Sequence, residues 1–311
     1  VIAEKPSVAM DLGKGLGNIA KHDGYIVAGG YYITWAVGHL VEIDEEIAPK
    51  QWRLDTLPVL PEDFKYKVTA DKLKQFNTIK SLLKKADGVV IATDAGREGE
   101  LIARLILDLA DYKGKIERFW TSEALSPEVV KKEFSRLKDG KEFESLYFSA
   151  LGRQHADWIF GINMTRLATI NASDKSVWSV GRVQTPVLKL IVERELEVRD
   201  FKPKPYWVLK AEFAKDGKKY TGTLMNKDEK DSTAFFDKEK IESIFEELKP
   251  EKQGSIAKVK KEEKKQKPPL LHSLTTLQKE ANQLYSYSAK HTLDLAPERY
   301  EAKKIYYPRT D

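Results

Sequence analysis

Cysteine is missing altogether from the 311 residues, which excludes disulfides and thiolate zinc sites in this stretch and is compatible with the cytosol. Also missing is any run of about eighteen apolar residues, so no membrane span is expected. No signal peptide opens the chain, which starts Val-Ile-Ala-Glu-Lys-Pro, a short apolar run followed by charge. The start lacks Met, which suggests trimming at that end. Internal repeats and low-complexity tracts are not found either. Net charge is small, +5 at pH 7 with a pI near 8.9. Such a balance permits nucleic-acid binding without arguing for it, so the distribution of charge must decide. What is present, 41% apolar and 32% charged residues, describes a globular protein with a heavily charged surface, long enough for two or more domains.

Along the chain the patterning changes three times. Val1–Ala3 reads as a short strand, Tyr25–Val37 as a hairpin turning near Gly29-Gly30, and Gly88–Thr93 as a strand buried on both faces. Glu100–Leu109 places Leu101, Ile102, Leu105, Ile106 and Leu109 at helical spacing, and Lys115–Trp120 reads as a further strand. Ser126-Pro127-Glu128 supplies an N-cap, a first-turn proline and an early acid for the next helix. This alternation predicts an α/β domain over residues 1–142. A helical domain follows over 143–204, with one long helix across Phe143–Ile170 and a second from Thr185-Pro186 to about Val198. Residues 205–268 form a β-rich domain in which Tyr206–Phe213 alternates and pairs with Lys219–Leu224 across Asp216-Gly217. In that domain Asp237–Leu248 is a helix with Ile241, Ile244, Phe245 and Leu248 in a stripe, and Lys258–Lys267 is a lysine-rich, solvated connector. Residues 269–311 read as helical to about Lys304, with Pro297 starting or kinking a helix. The fold class expected is therefore multidomain α/β and α+β.

Two places carry chemistry. Thr93–Glu100, TDAGREGE, follows the buried strand, so Asp94 and Glu98 stand at its carboxyl end, where ligands collect in open α/β sheets. With Glu4 after the first strand they form an oxygen-rich site suited to Mg²⁺. Glu98 and Glu100 also favour the helix dipole, which would be a purely structural role. At the other end stands Tyr306-Tyr307-Pro308-Arg309-Thr310-Asp311. Pro308 biases Tyr307 to an extended conformation, in which Tyr307 and Arg309 share a face and can address one phosphate. A phenol pKa is about 10, so such a nucleophile needs activation, for which Lys5 and Arg309 are candidates. The plain alternative is a structural Tyr-Pro anchor.

Glu4 with TDAGREGE resembles the toprim domain, a Rossmann-like fold shared by type IA and type II topoisomerases, bacterial primases and some nucleases. That pattern has a Glu after one strand and Asp-x-Asp-x-Glu after another. Here the second motif gives Asp94, Gly96 and Glu98, so the resemblance implies one Mg²⁺ held by Glu4, Asp94 and Glu98 and leaves a second ion without its middle acid. Glu100 is a substitute outside the pattern. YPRTD resembles the active-site motif of topoisomerase III, in which the tyrosine directly precedes the proline. Gly152–Leu167, GRQHADWIFGINMTRL, resembles the same family's long helix, with Arg153 and Asp157 in it. Ser179–Pro186, SVGRVQTP, resembles the segment lining its single-stranded DNA groove, with Arg182 and Gln184.

The resemblance runs in order over nearly the whole chain. It implies a toprim domain, a helical DNA-groove domain, a β gate domain and the start of a helical tyrosine domain. The activity implied is that of a type IA DNA topoisomerase, an isomerase acting by transesterification without ATP. Tyr307 would form a 5′-phosphotyrosyl link, Arg309 and Lys5 would steady the phosphate charge, and Glu4 would bind metal or act as acid. The implied partners are single-stranded or underwound duplex DNA and no membrane. The implied location is the cytoplasm, on the nucleoid if the source is a prokaryote. Protein partners are not readable. A toprim primase or nuclease needs Glu4 and Asp94 but not Tyr307. Because the chain ends four residues after Tyr307, a further expectation is that it binds single-stranded DNA without completing strand passage.

Overall fold

The computed structural model describes residues 1–174, 176–226, 232–302 and 304–306. These fall into two compact units, residues 1–186 with 270–311, and residues 187–269.

The first unit is organised by a seven-stranded sheet. Its elements begin with β1 (Ile2–Ala3), α1 (Pro6–Leu16), β2 (Ala20–His22), β3 (Tyr25–Ala28) and β4 (Tyr31–Trp35). Next come β5 (Val41–Ile43) and β6 (Tyr66–Val68), a separate two-stranded ribbon, then α2 (Leu73–Leu83), β7 (Gly88–Ala92) and α3 (Arg97–Leu109). β8 (Lys115–Arg118), α4 (Pro127–Phe134), β9 (Lys138–Asp139) and the 28-residue α5 (Glu144–Asn171) complete this run. Strand order is β2-β3-β4-β1-β7-β8-β9, with β4, β1, β7 and β8 mutually parallel and antiparallel strands at both edges.

The strand at the middle shows why its sequence is apolar without alternation. Val89 and Ile91 enter the core formed with Ile79 of α2, Leu101, Leu105 and Ile106 of α3, and Ala150 of α5. Val90 and Ala92 enter the core on the other face, with Leu12 of α1 and Val130 of α4. Both faces of β7 are covered by helices, so a solvated, polar face never arises. Ser126 caps α4 by accepting a hydrogen bond from the Val129 amide, and Pro127 takes the first turn. The stripe along α3 is fully buried at Ile106, and burying each such side chain is worth about 1.5–3 kcal/mol.

α6 (Gln184–Arg199) spans the division between the units and begins one residue before Thr185. In the second unit β10 (Lys210–Lys215) and β11 (Lys218–Thr223) form the expected hairpin. Asp216 and Gly217 both have positive φ, as a two-residue turn matched to strand twist requires. The first strand is shorter than expected. Leu209 still accepts from the Leu224 amide at 2.9 Å, but Trp207 pairs instead with Phe235 in an isolated antiparallel bridge. α7 (Lys238–Leu248) is capped by Asp237, which accepts from the Lys240 amide, and the lysine strip is exposed coil. α8 (Leu274–Tyr285) and α9 (Ala289–Glu301) belong to the first unit. Pro297 lies within α9, not at its start.

Candidate active site

β1 and β7 are neighbours in register, Ala3 opposite Ala92, so the residues just beyond them must meet. Glu4 accepts a hydrogen bond on Oε2 from the Asp94 amide at 3.0 Å. Burial pushes the Glu4 carboxyl up to about 7, and the charge of Asp94 adds to that push, while the Lys5 ammonium acts in the opposite sense. Lys5 itself is the N-cap residue of α1.

The loop that carries Asp94 is held from below. The Thr93 hydroxyl donates to the Gly99 carbonyl at 2.8 Å. A Cβ on Gly99 would collide with the Asp94 carbonyl oxygen, so only glycine lets the first turn of α3 close onto the loop. Arg118, fully buried, donates to the carbonyls of Ile91, Thr93, Phe119 and Asp94 at 2.7–3.1 Å. Its Nε donates to Glu100 at 3.0 Å, and Glu100 also accepts from Arg104 at 2.9 Å. Burial lowers the Arg118 guanidinium to about 10 against the pull of Glu100. Glu100 is thus consumed by an internal ion pair and does not stand in for the missing middle acid.

Glu98 does not converge with Glu4 and Asp94. Its Oε1 lies 2.7 Å from Nε2 of His39, with both side chains substantially exposed. Among the described residues no three or more His, Asp or Glu side chains are grouped to hold a metal ion. The donor set nonetheless suits a hard cation, because two carboxyl groups meet at one strand end and the buried one is destabilised in its charged form. Sequence reasoning missed Arg118 and His39. An arginine inside the strand run KIERFW was the available signal for the first. The position of Gly38-His39 just beyond β4, at the same edge as Glu4, was the signal for the second.

A second cluster lies on α5. Asp157 accepts from Arg182 through both oxygens, from Nε and, at 3.1 Å, from Nη2. Arg153 lies 3.6 Å from the same carboxylate. Arg182 foremost, then Arg153, holds Asp157 below the usual carboxylate range. The segment bearing Arg182 is laid along the helix by Thr165, which exchanges hydrogen bonds with Val180 at 3.0 and 3.2 Å. Gln184 is exposed and donates to the Ser179 hydroxyl at 3.0 Å. A cavity of about 300 Å³ lies between α3 and α5, lined by Arg97, Glu98 and Leu101 of α3 and by Ala150, Arg153, Gln154 and Asp157 of α5. Tyr307 and Arg309 lie outside the described residues.

Comparison with known families agrees with this geometry. Residues 1–127 match the toprim domain, a class generally associated with divalent metal binding. Residues 141–311 match the DNA topoisomerase family. The chain is 43% identical over 318 residues to DNA topoisomerase 3 of Bacillus subtilis, covering all of this chain and 42% of that protein. It is 43% identical over 321 residues to the DNA topoisomerase 3 of Shouchella clausii, again with 42% of the relative covered. The full-length topoisomerase I structure from Thermotoga maritima superposes with a TM-score of 0.65 at 27% identity, over 96% of this chain and 46% of that one. The chain belongs to the DNA topoisomerase family, and within it to the type IA enzymes of the topoisomerase III kind. It spans about 42% of the length of these curated relatives. No helix among the described residues is long and apolar enough to cross a membrane.

Proposed function

We propose that this chain supplies the strand-cleaving machinery of an ATP-independent type IA topoisomerase, acting on single-stranded or underwound DNA in the cytoplasm. The observation that carries the reading is the meeting of Glu4 and Asp94 at the ends of adjacent parallel strands. Tyr307 attacks a backbone phosphorus, forms a 5′-phosphotyrosyl ester and releases a 3′ hydroxyl. The ester conserves the bond energy, so the hydroxyl can return and reseal the strand after another has passed, giving relaxation or decatenation. Arg309 and Lys5 stabilise charge building on the phosphate. Glu4, with a pKa near neutrality, can give a proton to the leaving 3′ oxygen and recover it on resealing. When ionised, Glu4 would instead hold Mg²⁺ with Asp94, and Glu98 would join them by turning from His39; the ion supplies positive charge for the DNA backbone. Arg153, Arg182 and Gln184, with Asp157 setting the arginines' positions, line the path of the strand.

A second reading follows from length alone. Because the chain spans 42% of these relatives, these residues by themselves bind single-stranded DNA without passing a second strand.

The test is rapid denaturation of the chain after incubation with labelled single-stranded DNA and Mg²⁺. A DNA adduct mapping to Tyr307, lost in Tyr307→Phe while strand binding persists, is the expected result. An adduct that survives in Tyr307→Phe would remove the nucleophile assignment.

A further inference from the structure

Two glycines stand in the acidic loop and the turn that follows it, and the fold requires only one of them. A Cβ on Gly99 meets the Asp94 backbone, whereas a Cβ on Gly96 would have nothing within 4 Å. Gly96 has φ −174° and ψ 172°, extended backbone that any residue adopts. It is also the N-cap of α3, a position at which aspartate and asparagine are preferred to glycine. Neither space, nor backbone, nor the start of the helix explains a glycine there. What it withholds is a carboxylate, two residues from Asp94 in the loop that meets Glu4.

The other acids of the loop do not make up the difference. Glu100 is fully buried between Arg118 at 3.0 Å and Arg104 at 2.9 Å, and turning it outward would leave a buried guanidinium without its counter-charge. Glu98 rests on His39 at 2.7 Å; once turned from it, it brings the site to three carboxylates with Glu4 and Asp94. Fully ionised, these carry three negative charges, and the Lys5 ammonium acting on Glu4 offsets one of them. The two that remain balance a single divalent cation. A strand phosphate adds one more negative charge, still one short of what two such cations need, and an acid at position 96 would supply it.

We propose that position 96 sets the cation capacity of this site, and that the chain, with glycine there, holds one divalent cation where an aspartate would admit two. The proposal rests on the cation-binding reading of Glu4 and Asp94 given above. Its test counts ions and does not depend on cleavage. Mn²⁺, which electron paramagnetic resonance detects when free, is titrated into the whole chain with a short single-stranded oligonucleotide present. The ions of the site are those removed when Glu4→Gln and Asp94→Asn are made together in each protein. The parent should hold about one such ion per chain and Gly96→Asp about two. Gly96→Asn, which caps α3 as aspartate does but brings no charge, should hold about one. Two site ions on the parent, only one on Gly96→Asp, or a second on Gly96→Asn would each overturn the proposal. A parent with no ion that depends on Glu4 and Asp94 would strike the cation-site reading itself, and the capacity of position 96 with it.

Discussion

Glu4 sits where two requirements oppose one another: proximity to Asp94, which a cation site needs, and burial, which penalises the charge. A carboxyl whose pKa is higher folded than unfolded holds its proton more tightly in the folded state. Folding is therefore most favourable with Glu4 protonated, and stability falls as pH rises from about 4.5 through about 7. The loss amounts to about 3 kcal/mol, and Glu4→Gln should remove it. Melting temperatures across that window, for parent and variant without Mg²⁺, check this; parallel curves would contradict it. Above pH 7, Mg²⁺ should raise the melting temperature of the parent more than that of the variant. Arg118 poses the complementary case, a buried cation whose partners are four carbonyls and Glu100. Arg118→Met leaves Glu100 with Arg104 alone and four carbonyls without their donor, and should cost roughly 3–5 kcal/mol in urea unfolding. At this scale the sequence brought Glu4 and Asp94 to neighbouring strand ends, but not Glu98, which pairs with His39. It hid Arg118, since a strand arginine paired with a helix glutamate 18 residues away looks the same as a surface charge.

Elements were legible where burial alone decides them. β7 could be read as doubly covered because its apolar run has no polar alternation, and α3 because its stripe repeats with the helical period. Ile106→Ala on that stripe should cost about 2–5 kcal/mol, as a shift in the denaturation midpoint. Gly99→Ala carries a different penalty. The added methyl meets the Asp94 backbone, so the acidic loop must move, and stabilisation by Mg²⁺ should fall further than global stability does. Comparable losses in both would mean that the loop adapts. Tyr206–Leu209 misled for the converse reason. Its alternation satisfies a strand, but the strand begins only at Lys210 and Trp207 finds Phe235 instead. Alternation reports that a segment can pair, while the partner is settled by contacts distant in sequence.

For the molecule as a whole, a balanced net charge of +5 conceals a local path of arginines on and beside α5. Single-stranded DNA binding should weaken steeply with salt. Arg182→Ala should reduce the slope of log K against log salt concentration by about 0.7 if that side chain neutralises one phosphate. An unchanged slope would remove Arg182 from the path. α5 also has a metrical consequence. One uninterrupted helix carries Arg153 beside the acidic loop and, roughly 20 Å farther on by helical rise, Arg166 against the loop that joins β5 to β6. The helix therefore works as a gauge rather than a tether. Inserting one alanine just after Asp157 would turn everything beyond it by about 100°, taking Asn163 away from Val59 and so releasing the β5–β6 loop from the helix.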